Sequence, residues 1–161
     1  MNLGIRDLTT EDISRMWTIN EEGLPGVGKV TSEQLRELVG YSSHALGAEV
    51  DGELQGFVLC LPPRTEYGSL NYAWFNARYS EFLYVDRIAV AQEARDLGVG
   101  TALYQRVFQH AARGRLPVAA EISLDPPNPG SVRFHGRNGF EKAGELRHPT
   151  QVVSMVMRPA Q

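Results

Sequence analysis

The sequence predicts a mixed α+β domain built on a mostly antiparallel sheet of about six to seven strands, with about four helices. Three observations predict it. Residues 45–61 form two strand-like runs on either side of Asp51-Gly52, a strong tight-turn signal. Residues 82–113 read as an apolar strand, a glycine turn and an amphipathic helix. Phe140 to Leu146 and Val152 to Met157 read as a closing antiparallel pair. The 161 residues are taken as one domain, residues 1–161, long enough to bury a core.

The elements follow in order. Leu3 to Leu8 alternates weakly and reads as a first strand. Thr9-Thr10-Glu11-Asp12 is a helix start, a capping hydroxyl followed by acids, with Ile13, Met16 and Trp17 on the inner face. Leu24-Pro25-Gly26-Val27-Gly28 breaks that helix, and Thr31-Ser32-Glu33-Gln34 starts a second one facing inward through Leu35, Leu38 and Val39. After the hairpin, Pro62-Pro63 ends the return strand. Residues 64–80 are aromatic and fit neither period, so they read as a long connection with a helical turn. The central helix carries Val99, Leu103, Val107 and Ala111 on one face, with Ala102 beside them, and Gly114 stops it. Val118 to Leu124 is a strand, and Ser131 to Asn138 fits a short helix closed by Gly139.

Hydrophobic content of 42% and charged content of 22% are those of an ordinary globular protein. The net charge of −3 argues against a generic nucleic-acid binder. Residues 1–60 carry a net −6 and residues 61–161 a net +3, which suits a cationic acceptor and an anionic cofactor as well as it suits ordinary surface scatter. One cysteine, Cys60, excludes an internal disulfide and a cysteine-based zinc site, and it reads as a buried structural thiol. No metal is expected. No stretch has the length of a membrane span, and the N-terminus lacks a signal peptide's apolar core, so a cytoplasmic location is expected.

Arg95-Asp96-Leu97-Gly98-Val99-Gly100 opens the central helix. The first N–H groups of a helix have no internal partner and carry the positive end of its dipole. Glycines let a phosphate approach such a backbone without meeting a Cβ. A P-loop needs a lysine after its last glycine, but Thr101 and Ala102 stand there. A dinucleotide fingerprint needs a third glycine at residue 103, which is Leu. The remaining reading is a coenzyme A diphosphate site.

That reading rests on a resemblance. Arg95-x-x-Gly98-x-Gly100 directly after Asp86-Arg87-Ile88-Ala89-Val90 resembles the defining motif of the GNAT acetyltransferase superfamily. Asn128-x-x-Ser131-x-x-Phe134-His135-x-x-x-Gly139-Phe140 resembles the family's next motif, and the order of elements agrees along nearly the whole chain. The resemblance implies a three-layer fold whose mixed sheet has a splayed middle pair of strands, with acetyl-CoA as the donor and no metal. Pantetheine would lie in the cleft, against backbone groups of Ile88, Ala89 and Val90. The diphosphate would meet the N–H groups of Arg95, Asp96, Leu97, Gly98, Val99, Gly100 and Thr101, with Asn128, Ser131, Phe134 and His135 also on the cofactor.

Acylation of an amine by direct attack in a ternary complex needs a base, an oxyanion donor such as the Val90 N–H, and an acid for the thiolate. The family's usual acid is a tyrosine of the short helix. Here His135 stands at that position, and with Asn71-Tyr72-x-Trp74-Phe75 followed by Phe82-Leu83-Tyr84-Val85-Asp86-Arg87 the chain resembles an uncharacterised bacterial branch of the family. Its other reading is a polar contact to the cofactor. Strand alternation puts Tyr84, Asp86, Ile88 and Val90 on one face, which makes Asp86 a candidate base, and Glu121 shares a face with Ser123 on the next strand. The plainer reading of Asp86 is an ion pair with Arg87 or Arg133. Tyr72, Trp74, Tyr79 and Tyr84, with Trp17, are candidates to line an acceptor pocket for a small-molecule or peptide amine; otherwise they cover the core or a homodimer contact. The missing tyrosine motivates an alternative, a CoA-binding sensor or partner protein with little or no catalysis. Transfer of a longer acyl group is a third reading.

Overall fold

The computed structural model describes residues 1–161. Seven strands follow the order β1-β2-β3-β4-β5-β7-β6, and the chain divides into two compact units, with β4 contributing to both. The pairs β1–β2, β2–β3, β5–β7 and β6–β7 are antiparallel, and β4–β5 is parallel.

The first unit comprises Met1–Leu61 and Val85–His110. It holds β1 (Leu3–Asp7), α1 (Ile13–Glu22), α2 (Ser32–Tyr41), β2 (His44–Val50), β3 (Glu53–Leu61), most of β4 (Leu83–Val90) and most of α4 (Val99–Gly114). The Asp51-Gly52 turn is made as its residues dictate. Both have positive φ, 53° and 87°, the geometry of a tight primed turn. Residues 54–61 of β3 are all buried, as in a strand covered on both faces. Thr31 caps α2 by accepting from the Gln34 N–H, while the Gln34 side chain accepts from the Thr31 N–H. In α1 the inner face is Ile13, Met16, Ile19 and Asn20. Trp17 is turned outward instead, 37% exposed, with its indole N–H donating to the Val30 carbonyl.

The second unit comprises Pro62–Tyr84 and Ala111–Gln161. It holds α3 (Leu70–Arg78), the start of β4, β5 (Val118–Asp125), α5 (Pro129–Arg137), β6 (Glu141–His148) and β7 (Gln151–Arg158). Helix α3 corrects the sequence reading, which expected only a helical turn, and brings the helices to five. Ser69 caps it by accepting from the Tyr72 N–H, and Tyr72 and Phe75 form its buried face. A single apolar period is missing because the helix is contacted on a second side. Trp74 lies over Gly144 of β6, where a Cβ would come within 2.6 Å of the indole. The Arg78 guanidinium sits 4.0 Å from the Trp74 ring centroid, and Asn71 accepts from His148 Nε2 at 2.8 Å.

Gly144 is therefore a packing position. Gly144→Ala is expected to destabilise the protein by about 1–3 kcal/mol, the usual scale of overpacking. Gly136→Ala, on α5 with open space at its Cβ, should stay within about 1 kcal/mol of the wild type or gain stability. Urea unfolding of the two variants measures the difference.

Candidate active site

In the first unit, β4 delivers the chain to an exposed turn. The Ala91 N–H donates to the Gln55 carbonyl at 2.7 Å, and the Gln55 side-chain amide donates to Glu93 at 3.0 Å. From α1, Glu22 takes the Gln92 N–H on its carboxylate at 2.9 Å and Arg95 Nη2 on its carbonyl at 2.8 Å. Residues 95–98 are exposed. Asp96 and Gly98 reverse the chain with φ of 66° and 81°. The helical ladder then begins with the Ala102 N–H donating to the Gly98 carbonyl at 3.0 Å. The N–H groups of residues 98–101 precede it and have no acceptor within the helix.

Nothing of the protein crowds this turn. A Cβ on Gly98 would meet no atom within 4 Å, and one on Gly100 only Val90 Cγ2 at 3.9 Å. The helix is seated firmly just beyond. Val99, 1% exposed, presses on Gly56 of β3, where a Cβ would come within 2.8 Å of Val99 Cγ1. The residues present thus fit a phosphate group. Open backbone, a helix of 16 residues behind it and no acidic side chain in its first turn are what an anion requires.

Ile88, Ala89 and Val90 end β4. Asp86, whose side chain is 4% exposed, accepts from Arg87 Nε at 2.8 Å, so its ion pair with Arg87 is present. Arg87 also donates through Nη1 to Asn20 Oδ1 and to the Gly28 carbonyl, both at 3.0 Å. Asn20 Nδ2 donates to the same carbonyl at 3.1 Å. This network pins the Gly-rich connection between α1 and α2 to β4. The sequence reading missed Arg87 and Asn20 in this role. The available signal was a polar residue, Asn20, at an inward-facing position of an amphipathic helix. Cys60 is buried; burial, then the nearby Asp86 charge, push its thiol up, away from the reactive thiolate.

In the second unit, the Tyr84 hydroxyl donates to Glu121, at 2.9 Å from each carboxylate oxygen. The register explains the contact. Tyr84 pairs with Ala119 in the parallel β4–β5 ladder, and residue 121 lies on the same face as 119. Tyr72 is 1% exposed, with its hydroxyl donating to the Pro62 carbonyl and accepting from the Thr65 N–H. Trp74 and Tyr79 are half-buried beside Phe75.

Asn128 caps α5 through Oδ1, which accepts from the Ser131 N–H at 3.3 Å. His135 Nδ1 is 2.8 Å from the Ser131 carbonyl and 3.2 Å from its hydroxyl. A carbonyl can only accept, so Nδ1 carries the hydrogen in that contact. The ring packs edge-on to Phe134 and Phe140. Burial holds its pKa below the ordinary imidazole value, against the opposing effect of the Ser131 carbonyl. Proton donation from Nε2 would therefore require an imidazolium that the surroundings disfavour. No group of three or more His, Cys, Asp or Glu side chains is arranged to hold a metal ion, and no helix is long and apolar enough to cross a membrane.

A glycine turn with open backbone therefore stands ahead of a long helix on a mixed sheet. Residues 10–140 match the acetyltransferase (GNAT) family. A Sulfurisphaera tokodaii protein named N-alpha-acetyltransferase is 30% identical over 148 residues, covering 89% of this chain and 83% of that protein. The crystal structure of Ard1 from Thermoplasma volcanium superposes with a TM-score of 0.81 at 18% identity, covering 100% of this chain and 99% of that one. The Escherichia coli ribosomal-protein-S18-alanine N-acetyltransferase gives 0.79 at 15% identity, covering 99% and 95%. The chain belongs to the GNAT family and is an acyltransferase. That is the enzyme reading rather than the CoA-binding module.

The state of His135 has a consequence for stability. Its folded pKa lies below the unfolded value of about 6.5, so below that pH the unfolded chain binds a proton that the folded chain resists. Stability is full above pH 6.5 and falls as pH drops through the folded value. His44, lowered by burial and by its neighbour His110, acts in the same direction. Urea midpoints at pH 5, 6 and 7 should fall with pH in the wild type and fall less steeply in His135→Gln.

Proposed function

We propose that residues 1–161 work as a single domain and form an acetyl-CoA-dependent N-acetyltransferase acting in the cytoplasm on the primary amine of a peptide, in preference to a small molecule. The observation that carries the donor is the open backbone at Gly98 and Gly100 ahead of α4. The relative named N-alpha-acetyltransferase supports a peptide α-amine as acceptor. Bound here, acetyl-CoA would supply an acyl group activated as a thioester.

The Arg95 N–H is engaged by the Gln92 carbonyl, so the N–H groups of residues 96–101 would hold the diphosphate charge, with the dipole of α4 behind them. Backbone groups of Ile88, Ala89 and Val90 meet the pantetheine amides, and the Val90 N–H stabilises developing charge on the carbonyl oxygen. Asn128, Ser131 and Phe134 shape and cap α5 on the cofactor side. Glu121 accepts a proton from the acceptor's ammonium, directly or through a water, and frees the lone pair for attack. With both substrates bound, the C–N bond would form as the C–S bond breaks, and the second proton on the attacking nitrogen would pass through water to the departing thiolate. We prefer Glu121 to Asp86 as the base because Asp86 is engaged by Arg87. His135 stands at the acid position of the motif, but burial disfavours the imidazolium that donation from Nε2 would need. Trp74, Tyr79 and the connection around α3 contribute to the acceptor side, with Tyr72 holding that connection in place.

Two expectations test the donor and the base. Gly100→Ala should leave the fold intact, because its Cβ has room, yet weaken CoA binding at least about tenfold in calorimetric titration by filling the approach to the diphosphate. Unchanged affinity would sink the cradle assignment. Thiol release from acetyl-CoA with a panel of peptides and small amines should fall about 100-fold or more in kcat for Glu121→Gln. Asp86→Asn should chiefly lower thermal stability, since it leaves the buried Arg87 without its counter-charge.

A further inference from the structure

We propose that Tyr84 is a positioning residue for the base, and that helix α3 buttresses it. The proposal rests on the reading of Glu121 as the base and adds how that carboxylate is held.

The Tyr84 hydroxyl lies 2.9 Å from both oxygens of Glu121. A phenol carries one hydrogen, so the O–H points between the two oxygens and fixes the direction in which the carboxylate faces. Such a charge-assisted bond favours the ionised carboxylate, the form that can take a proton. It also removes reorganisation that the reaction would otherwise require. Tyr84 itself has no freedom to drift, being fully buried.

What confines the phenol is α3. Tyr72 and Phe75, one turn apart on that helix, pack on the Tyr84 ring with centroids 5.2 and 5.8 Å away. Phe82 closes the cluster against both. The helix is held in turn at three places. Tyr72 ties it to Pro62 and Thr65, Asn71 to His148, and Trp74 to Gly144. A line of contacts therefore runs from β6 through α3 to the hydroxyl on Glu121.

The test is steady-state kinetics against pH for Tyr84→Phe, Glu121→Gln and the double variant, using acetyl-CoA and a peptide acceptor. Tyr84→Phe keeps the ring and is expected to fold. It should lower kcat about tenfold, leave the donor KM within about twofold, and move the acid limb of kcat/KM upward by about half to one pH unit. A residue that only filled space would leave that limb in place. The double variant should be no slower than Glu121→Gln, because the hydroxyl acts through the carboxylate. Tyr72→Phe, which loosens α3 and touches neither Tyr84's hydroxyl nor Glu121, should shift kcat in the same direction by less. An unmoved acid limb in Tyr84→Phe, with Glu121→Gln inactive, overturns the positioning role alone. Full activity in Glu121→Gln overturns the base assignment and the proposal with it.

Discussion

The first turn of α4 must be held in place and yet left uncovered. For the proposed phosphate site, an N–H group satisfied by the protein would be of no use, and one left bare on a mobile loop would lose its direction. The molecule resolves this by fixing the residues on either side. Val99 is driven into the space that Gly56 leaves on β3. Gln55 grips residues 91 and 93, and Glu22 grips residues 92 and 95. Between these anchors the chain turns in the open. Arg95 illustrates the division of labour. Its guanidinium reaches the carbonyl that ends α1, a helix C-terminus where a cation is favoured, so the motif arginine also braces the turn.

Sequence legibility follows from how local each feature is. The hairpin is written in Asp51-Gly52, because few other dipeptides accept two positive φ values. The turn before α4 is equally local, written in two glycines and the helix period after them. Helix α3 was not legible, because its aromatic residues serve two neighbours. Tyr72 and Phe75 face inward while Trp74 lies on β6, and the two sets together blur the period. Least visible was the contact between Tyr84 and Glu121. It depends on which residue of β5 lies beside Tyr84, a register set by tertiary structure across 37 positions of sequence.

The two carboxylates show why residue type and strand face are too coarse to assign a base. Asp86 and Glu121 are both acidic, both on central strands and both candidates by alternation. Asp86 meets a guanidinium that is itself nearly buried and bonded to Asn20 and Gly28. A carboxylate so paired cannot change its charge without stranding the cation, and that cost makes it a strut. Glu121 meets a hydroxyl, a partner that steadies negative charge but is not stranded when the charge is lost. A base, which has to gain and lose a proton in every turnover, would be better served by the second kind of partner, in line with the proposed role of Glu121. Packing that partner against aromatic rings holds the direction of the bond.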